Sequence, residues 1–242
     1  MADDMWRVFY SAEAERYENA RYGSRYGFSF RLAHRQVVAS LLSRWGKRGA
    51  ALDVASGTGQ LIPSVLANAD FLIASDLTPE MMRVARRVHG QSNVGYAQAD
   101  ALNLPFADAS FDIVISSRFL HLFPMTTQQK MLMEMNRVAK PGGIVVVDVY
   151  NRIPRQILGI AISLYRKLRR KRDEGDYYSS PKETCALLHA AGLTQIDAHG
   201  VGSYFAAPLL WLPRLLLARL LRSGLFANRL MAEQWVVVGL RK

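Results

Sequence analysis

An α/β fold with a doubly wound, mostly parallel sheet is predicted by three features of the sequence. Short uninterrupted apolar runs recur between residues 50 and 150, helical stretches separate them, and Asp or Ser stands where the runs end. Strands that are apolar along their whole length are buried on both faces, as in a parallel sheet covered by helices. In such sheets ligands bind beyond the carboxyl ends of the strands. Asp53, Asp76, Asp100 and Ser116 lie at or near those ends.

The elements follow in order. Residues 4–45 read as helical, with many aromatics, among them Trp6, Phe9, Tyr10, Tyr17, Tyr22, Tyr26, Phe28 and Phe30. Residues 50–55 form the first strand, followed by a Gly-rich turn and a helix from about Gln60. Residues 71–75 form the second, ending at Asp76; Thr78 is the predicted N-cap of the next helix, with Pro79 at its first position. Residues 93–98, 111–116 and 143–149 are the third, fourth and fifth strands. Ser180-Pro181-Lys182-Glu183 opens a further helix, and residues 193–199 and 234–240 read as two final strands.

At 242 residues the chain suits one domain. Its single cysteine, Cys185, excludes an internal disulfide framework and fits a reducing cytosol. Residues 182–188 read as an amphipathic helix, so Cys185 is expected to pack in the core. The start, Met1-Ala2-Asp3-Asp4, is acidic and lacks the apolar stretch of a secretory signal. No apolar run reaches the roughly 18 to 20 residues that span a bilayer. A cytoplasmic protein is expected, touching at most the inner face of a membrane.

The net charge of +11 is unevenly placed. Residues 151–175 hold eight Lys or Arg against two acids, and residues 203–232 hold four Arg and no acid, so nearly all the excess sits in two segments read as insertions. In residues 153–172 an apolar half leads into a dense basic half, and residues 206–222 interleave Trp211 and many leucines with Arg214, Arg219 and Arg222. Two readings are compatible: interfacial helices on an anionic membrane, or a lid whose leucines pack on the sheet or line a pocket. The Leu and Ile neighbours of the arginines favour lipid over nucleic acid, whose phosphates are usually met among polar and aromatic residues.

Three groups carry the candidate chemistry. The turn Ala55-Ser56-Gly57-Thr58-Gly59 lets the backbone bend tightly and a ligand approach the main chain. Such turns serve dinucleotides and other adenosyl ligands, or no ligand at all. A pyrophosphate site wants a G-x-G-x-x-G spacing, whereas here Ala55 takes the first place and nothing follows Gly59 in register. Asp76 is placed to accept both hydroxyls of a ribose. Asp100, in Gln98-Ala99-Asp100-Ala101, is either a helix cap or a partner for an adenine amino group.

Five ordered stretches resemble the class I S-adenosylmethionine-dependent methyltransferases, particularly their small-molecule "type 11" and quinone-pathway group. They are residues 52–59, residues 75–82, Gln98-Ala99-Asp100-Ala101, residues 104–112 and Arg137-Val138-Ala139-Lys140-Pro141-Gly142-Gly143. The resemblance covers roughly residues 45–150 and implies a Rossmann-like sheet of seven strands whose last strand runs antiparallel. It implies S-adenosyl-L-methionine as cofactor, with Ala55, Gly57 and Gly59 lining the methionine portion and Asp53, Ser56 and Thr58 of the same stretch also in the cofactor site. By the same resemblance Asp76 holds the ribose, Leu77 and Met81 the adenine face, Asp100 and Ala101 the adenine edge, and the Ser116 backbone the methionine amino group. Arg35 is similar in placement to an arginine that holds the methionine carboxylate, with Arg31 nearby. Alanine and serine at 55 and 56 depart from the family's usual glycine and cysteine.

Methyl transfer from a sulfonium needs alignment of a nucleophile and exclusion of water, with a base for some oxygen or carbon acceptors. His121 is the candidate base, with His34 and Tyr17 behind it; no cluster has metal spacing, and Asp148 with Asn151 is too little for magnesium. The resulting plan is one domain: a helical N-terminal cap (1–45), a cofactor-binding core (46–150), a basic helical insertion (151–178) and a Leu/Arg-rich insertion (203–232) before the last strand. The expected acceptor is a hydrophobic small molecule or lipid. An RNA-directed methyltransferase and a non-catalytic adenosyl-binding partner protein are the alternatives.

Overall fold

A computed structural model describes residues 2–157, 176–228 and 231–242. Most of the basic insertion, residues 158–175, lies outside the described residues.

Three helices open the chain: α1 (Ala2–Glu13), α2 (Tyr17–Tyr22) and α3 (Arg25–Ser43). Then come β1 (Arg48–Val54), α4 (Ile62–Leu66), β2 (Ala69–Asp76), α5 (Pro79–His89), β3 (Val94–Gln98) and β4 (Phe111–Ser116). A short turn of 3₁₀-helix at Leu120–Leu122 leads to α6 (Met125–Val138), β5 (Ala139–Asn151) and α7 (Arg152–Ile157). The last elements are β6 (Tyr178–Ser179), α8 (Pro181–Ala190), β7 (Leu193–Val201), a 3₁₀ segment at Tyr204–Leu209, α9 (Arg214–Leu221) and β8 (Gln234–Arg241).

The strand order is β3-β2-β1-β4-β5-β8-β7, with β8 antiparallel to both β5 and β7. This is the expected seven-stranded sheet with its antiparallel last strand. The two-residue β6, which pairs parallel to the end of β5, is an addition the sequence did not announce. The order reverses between β1 and β4, so the crevice that receives a ligand opens above the ends of those two strands.

Period-two alternation divides each strand between two cores. Ile113 and Ile115 of β4 join Leu41, Leu42, Ile62 and Leu72 on one face, while Val114 joins Leu52, Leu132 and Met135 on the other. Each such side chain contributes roughly 1.5–3 kcal/mol by leaving water.

Two local expectations are corrected. Thr78 does cap α5 by position, but its side chain makes no capping bond; its backbone N–H goes to Asp76 Oδ1 at 2.8 Å instead. Cys185 is exposed, because α8 buries Thr184, Leu187 and Leu188, one helical stripe to which position 185 does not belong. The N-terminus of α8 forms as expected, as a capping box between Ser180 and Glu183.

The Leu/Arg-rich segment takes neither of its expected places entirely. Leu217, Ala218 and Leu221 of α9 are buried against α3, and Ser29 Oγ and an Arg25 guanidinium N–H reach the carbonyls of Arg214 and Leu212 at 3.0 and 2.9 Å. Leu217 and Leu221 therefore complete a core layer, and none of the segment's described residues lines the ligand cavity. The cavity is covered instead by Tyr10, Tyr17 and Tyr22 of the N-terminal cap.

Candidate active site

Beyond β1 the chain turns through three residues with positive φ: Ala55 (57°), Gly57 (56°) and Gly59 (82°). The two glycines serve different ends. A Cβ on Gly59 would meet Ile62 Cδ1 at 2.7 Å and His89 Cδ2 at 2.9 Å, so this glycine lets the turn press onto its own helices. A Cβ on Gly57 would meet nothing within 4 Å, and Gly57 lines the cavity; here the missing side chain leaves room for a ligand against the main chain. Ala55 holds the left-handed conformation with its methyl group in place, at a cost of about 1 kcal/mol.

Asp76 closes the turn from the next strand. It is buried, and its two oxygens each accept one backbone N–H, from Gly57 at 2.9 Å and from Thr78 at 2.8 Å. Each oxygen keeps further lone-pair capacity, which two vicinal hydroxyls would use. Burial pushes its pKa up against the pull of those hydrogen bonds. Asp53, fully buried behind the turn, is pushed well above the ordinary carboxylate range by burial and by the charge of Asp76.

One cavity of roughly 1300 Å³, counted with its solvent-open mouth, runs along these groups. Of the residues expected to hold the cofactor, Arg35, Asp53, Ala55, Ser56, Gly57, Thr58, Asp76, Leu77, Met81, Asp100 and Ala101 line it. Gly59 and Ser116 do not; Gly59 supports the turn, and the wall beyond β4 is made by Ser117 and Arg118. Asp100 caps no helix; its Oδ1 accepts the Leu102 N–H at 2.9 Å and closes a turn. Arg31 is tied to Glu18 at 2.8 Å, whereas Arg35, one turn on, makes no ion pair among the described residues. Glu18 also accepts from Thr58 and Gln60, which docks α2 on the glycine turn.

The other end of the cavity is apolar and aromatic: Tyr22, Phe30, Phe119, Leu122, Phe123 and Met131. A smaller polar recess opens beside it, lined by Tyr10, Tyr17, Arg21, Arg118, His121, Leu122, Tyr150 and Asp176. His121 therefore belongs to the recess and is not a wall of the main cavity. It is buried with its ring edge-on to Tyr150 at 4.3 Å, and burial drives its pKa down to about 3. A group that weakly basic makes a poor proton acceptor near neutral pH.

Asp148, weighed in the sequence only as a metal ligand, turns out to organise the wall. Its Oδ2 accepts from His34 Nε2 at 2.9 Å and Ser117 Oγ at 2.7 Å, and its Oδ1 accepts the Arg118 N–H at 2.7 Å. Burial opposes its charge, and these donors outweigh it, so its pKa falls below the usual value. No group of three or more potential metal ligands occurs among the described residues. Arg118 itself was missed by sequence reasoning; the available signal was a lone arginine two residues beyond a strand end, immediately before the mostly apolar run Phe119-Leu120-His121-Leu122-Phe123.

The residues present fit an adenosyl ligand such as S-adenosylmethionine: a glycine-lined wall open to a ligand, a buried carboxylate with spare acceptor capacity, and apolar Leu77 and Met81 on the same cavity. Comparison with known proteins agrees. Residues 52–147 match the family described as "Methyltransferase domain". A demethylmenaquinone methyltransferase from Clavibacter sepedonicus is 36% identical over 117 residues, 48% of this chain and 47% of that protein. The ubiquinone/menaquinone biosynthesis C-methyltransferase UbiE of Pseudoalteromonas translucida is 33% identical over 142 residues, 56% of this chain and 55% of its own length. The chain thus spans about half the length of the curated relatives it matches. Among solved structures, magnesium protoporphyrin IX methyltransferase from Synechocystis with bound S-adenosylmethionine superposes over 100% of this chain and 98% of its own, with a TM-score of 0.64 at 15% identity, which supports the fold. The glycine turn, the carboxylate that closes it and the matched segment converge on one conclusion: residues 52–147 are the core of a class I S-adenosylmethionine-dependent methyltransferase domain.

Proposed function

We propose that this domain transfers the sulfonium methyl group of S-adenosylmethionine to an apolar, ring-bearing small molecule of the quinone-precursor kind, on carbon or oxygen. The observation that carries the proposal is the continuity of one cavity from the Gly57 turn and Asp76 to the aromatic compartment of Phe30, Phe119, Leu122, Phe123 and Met131. The demethylmenaquinone and ubiquinone/menaquinone methyltransferases among the relatives support the same reading.

The cofactor supplies an activated methyl electrophile, and the protein's share is placement and dryness. Asp76 takes the ribose hydroxyls, Leu77 and Met81 sandwich the adenine, and Asp100 with Ala101 meets its edge. Arg35, free of the Glu18 pair that engages Arg31, takes the methionine carboxylate. The tyrosines of α1 and α2 close the acceptor compartment against water. His121, held in the recess beside that compartment, is no strong base.

Methyl transfer from labelled cofactor into fractionated extracts tests the reading. Label should appear in small apolar compounds. Label in RNA instead would move the assignment to the RNA-directed alternative, and adenosyl binding without transfer to any fraction would favour a non-catalytic partner.

The acceptor's apolar character fits work at a membrane surface by a cytoplasmic protein. Trp211 is 76% exposed, and Leu210, Leu215 and Leu216 stand exposed beside Arg214, Arg219 and Arg222. Such a patch suits the interface of an anionic bilayer, apolar side chains down and guanidinium groups at the headgroups. No helix of the described residues is long and apolar enough to cross a membrane. Sedimentation with anionic liposomes should carry the protein down, and Trp211→Ser with Leu215→Ser should release it; a protein that stays in solution in both states sinks the membrane reading.

A further inference from the structure

Arg118 is the least explained charged residue of the site. Among the described residues it is one of three non-glycine residues with positive φ, at 56°, a conformation that L-residues avoid and that clusters at functional sites. Asp148 Oδ1 holds that conformation by accepting the Arg118 N–H, so the carboxylate's hydrogen bond goes to the backbone and leaves the guanidinium alone. Among the described residues the guanidinium makes no ion pair and donates no hydrogen bond, and its Nε is buried without a partner. Its neighbours are ring faces: Tyr22 at 5.3 Å and Phe30 at 5.7 Å. Buried polar groups are ordinarily hydrogen-bonded, and a guanidinium carries five donors. Arg118 lines both the main cavity and the polar recess, so those donors stand at the junction where an acceptor would lie.

We propose that Arg118 is the anion anchor of the acceptor pocket, and that the acceptor carries a planar oxyanion, either a carboxylate or an acidic phenolate or enolate. The oxyanion meets the Arg118 fork at the mouth of the recess, whose lining holds a second positive charge, Arg21, and one opposing carboxylate, Asp176, set beside His121 at 3.7 Å. The apolar body lies along Phe119, Leu122, Phe123 and Met131. The neighbouring tyrosines suit this division, since their rings face the apolar body and Tyr22, its pKa pushed up by burial to about 12, stays neutral beside the anion. This inference rests on the apolar-acceptor reading above and adds a charge to it.

The test uses the full chain saturated with S-adenosylhomocysteine and three probes of similar apolar body: naphthoate, naphthamide, and a nitronaphtholate kept ionised at mildly alkaline pH. Calorimetric titration should give an anion affinity about tenfold or more above that of the neutral amide, as a charge-assisted pair in a sheltered site provides. Preference for naphthoate alone assigns a carboxylate acceptor, and preference for the phenolate alone assigns a phenol or enol. Arg118→Gln should erase the preference while binding of naphthamide and S-adenosylhomocysteine stays within about twofold, and Arg118→Lys should keep part of it. Equal binding of amide and anions by the wild type, or an undiminished preference in Arg118→Gln, overturns the proposal. Should Arg118→Gln not fold, the wild-type selectivity and its partial reduction in Arg118→Lys decide, and an undiminished preference in Arg118→Lys overturns the proposal. Failure of all three probes to bind would instead bring down the apolar-acceptor reading, and this inference with it.

Discussion

Replacing Asp76 by Asn separates its two duties, since the change removes one charge and little else. In the cofactor-free protein the two effects oppose each other. The amide keeps one of the two backbone bonds, to Gly57 or to Thr78, and loses the other, at a cost of about 1.5–3 kcal/mol for a charge-assisted bond. Against that, the raised pKa says that burial already penalises the charged carboxylate, and the neutral amide relieves the penalty. The net change in stability should stay within about 1–2 kcal/mol, a few degrees in melting temperature for a chain of this size. Cofactor binding has no such offset. An anion accepting from two ribose hydroxyls becomes an amide that accepts from one, a loss of about 2–3 kcal/mol, or roughly 30- to 150-fold in affinity. Calorimetric titration with S-adenosylhomocysteine beside thermal unfolding reads both numbers. The pH dependence carries a sign as well: wild-type affinity should fall as pH drops through the raised pKa of Asp76, and the Asn variant should not follow. An affinity loss under about threefold with the fold intact refutes the ribose assignment. A melting temperature lower by more than about 10 °C would make Asp76 a staple of the turn instead.

Gly57→Ala and Gly59→Ala should part company: both meet positive φ, at about 1 kcal/mol, but only the Cβ at 59 collides with Ile62 and His89. Unfolding should therefore show Gly59→Ala the less stable by about 1–3 kcal/mol, and titration should show Gly57→Ala losing cofactor affinity with little loss of stability; equal melting temperatures would contradict the packing argument. Asp148→Ala strands three donors, those of His34, Ser117 and Arg118, and should cost about 3–5 kcal/mol, on the order of 10 °C in melting temperature. Because the folded pKa of Asp148 lies below its ordinary value of 3.8, its stabilisation is present above that pH and fades as pH falls toward the folded value. Acid unfolding curves of wild type and variant should converge only in that strongly acidic range, and convergence near neutrality would argue against the assignment. His121, with a pKa near 3, stays neutral across the working range, so the pH–rate profile should lack a limb at about 6–7 that His121→Gln abolishes; such a limb would restore it as the base.

Much of the cofactor half of the site was legible because it is local. A buried parallel strand must be apolar throughout, a tight turn needs positive φ, and a carboxylate at a strand end sits at the cavity mouth whatever else the chain does. The turn at residues 53–59, Asp76 and Asp100 could thus be named from their neighbours in sequence, the family resemblance added Leu77 and Met81, and the cavity takes in nearly all of them. The acceptor half depended on pairs far apart in the chain. His34 meets Asp148 across 114 positions, Tyr17 and Tyr22 come to face Arg118 from the opposite end of the core segment, and no periodicity records such meetings. Ser116 and Arg118 differ by two positions, yet the wall belongs to the second because Asp148 pins the backbone between strand and helix. Periodicity also reports that a face is apolar without saying what covers it. The leucines of residues 206–222 were ambiguous between lid, membrane and core for that reason, and packing on α3 claimed Leu217 and Leu221 while leaving Trp211, Leu215 and Leu216 in the open. By itself, then, the sequence determined the sheet and the cofactor turn, which follow from backbone chemistry between near neighbours. Tertiary structure alone decided the anion-ready arginine and the aromatic roof, which require distant segments to meet.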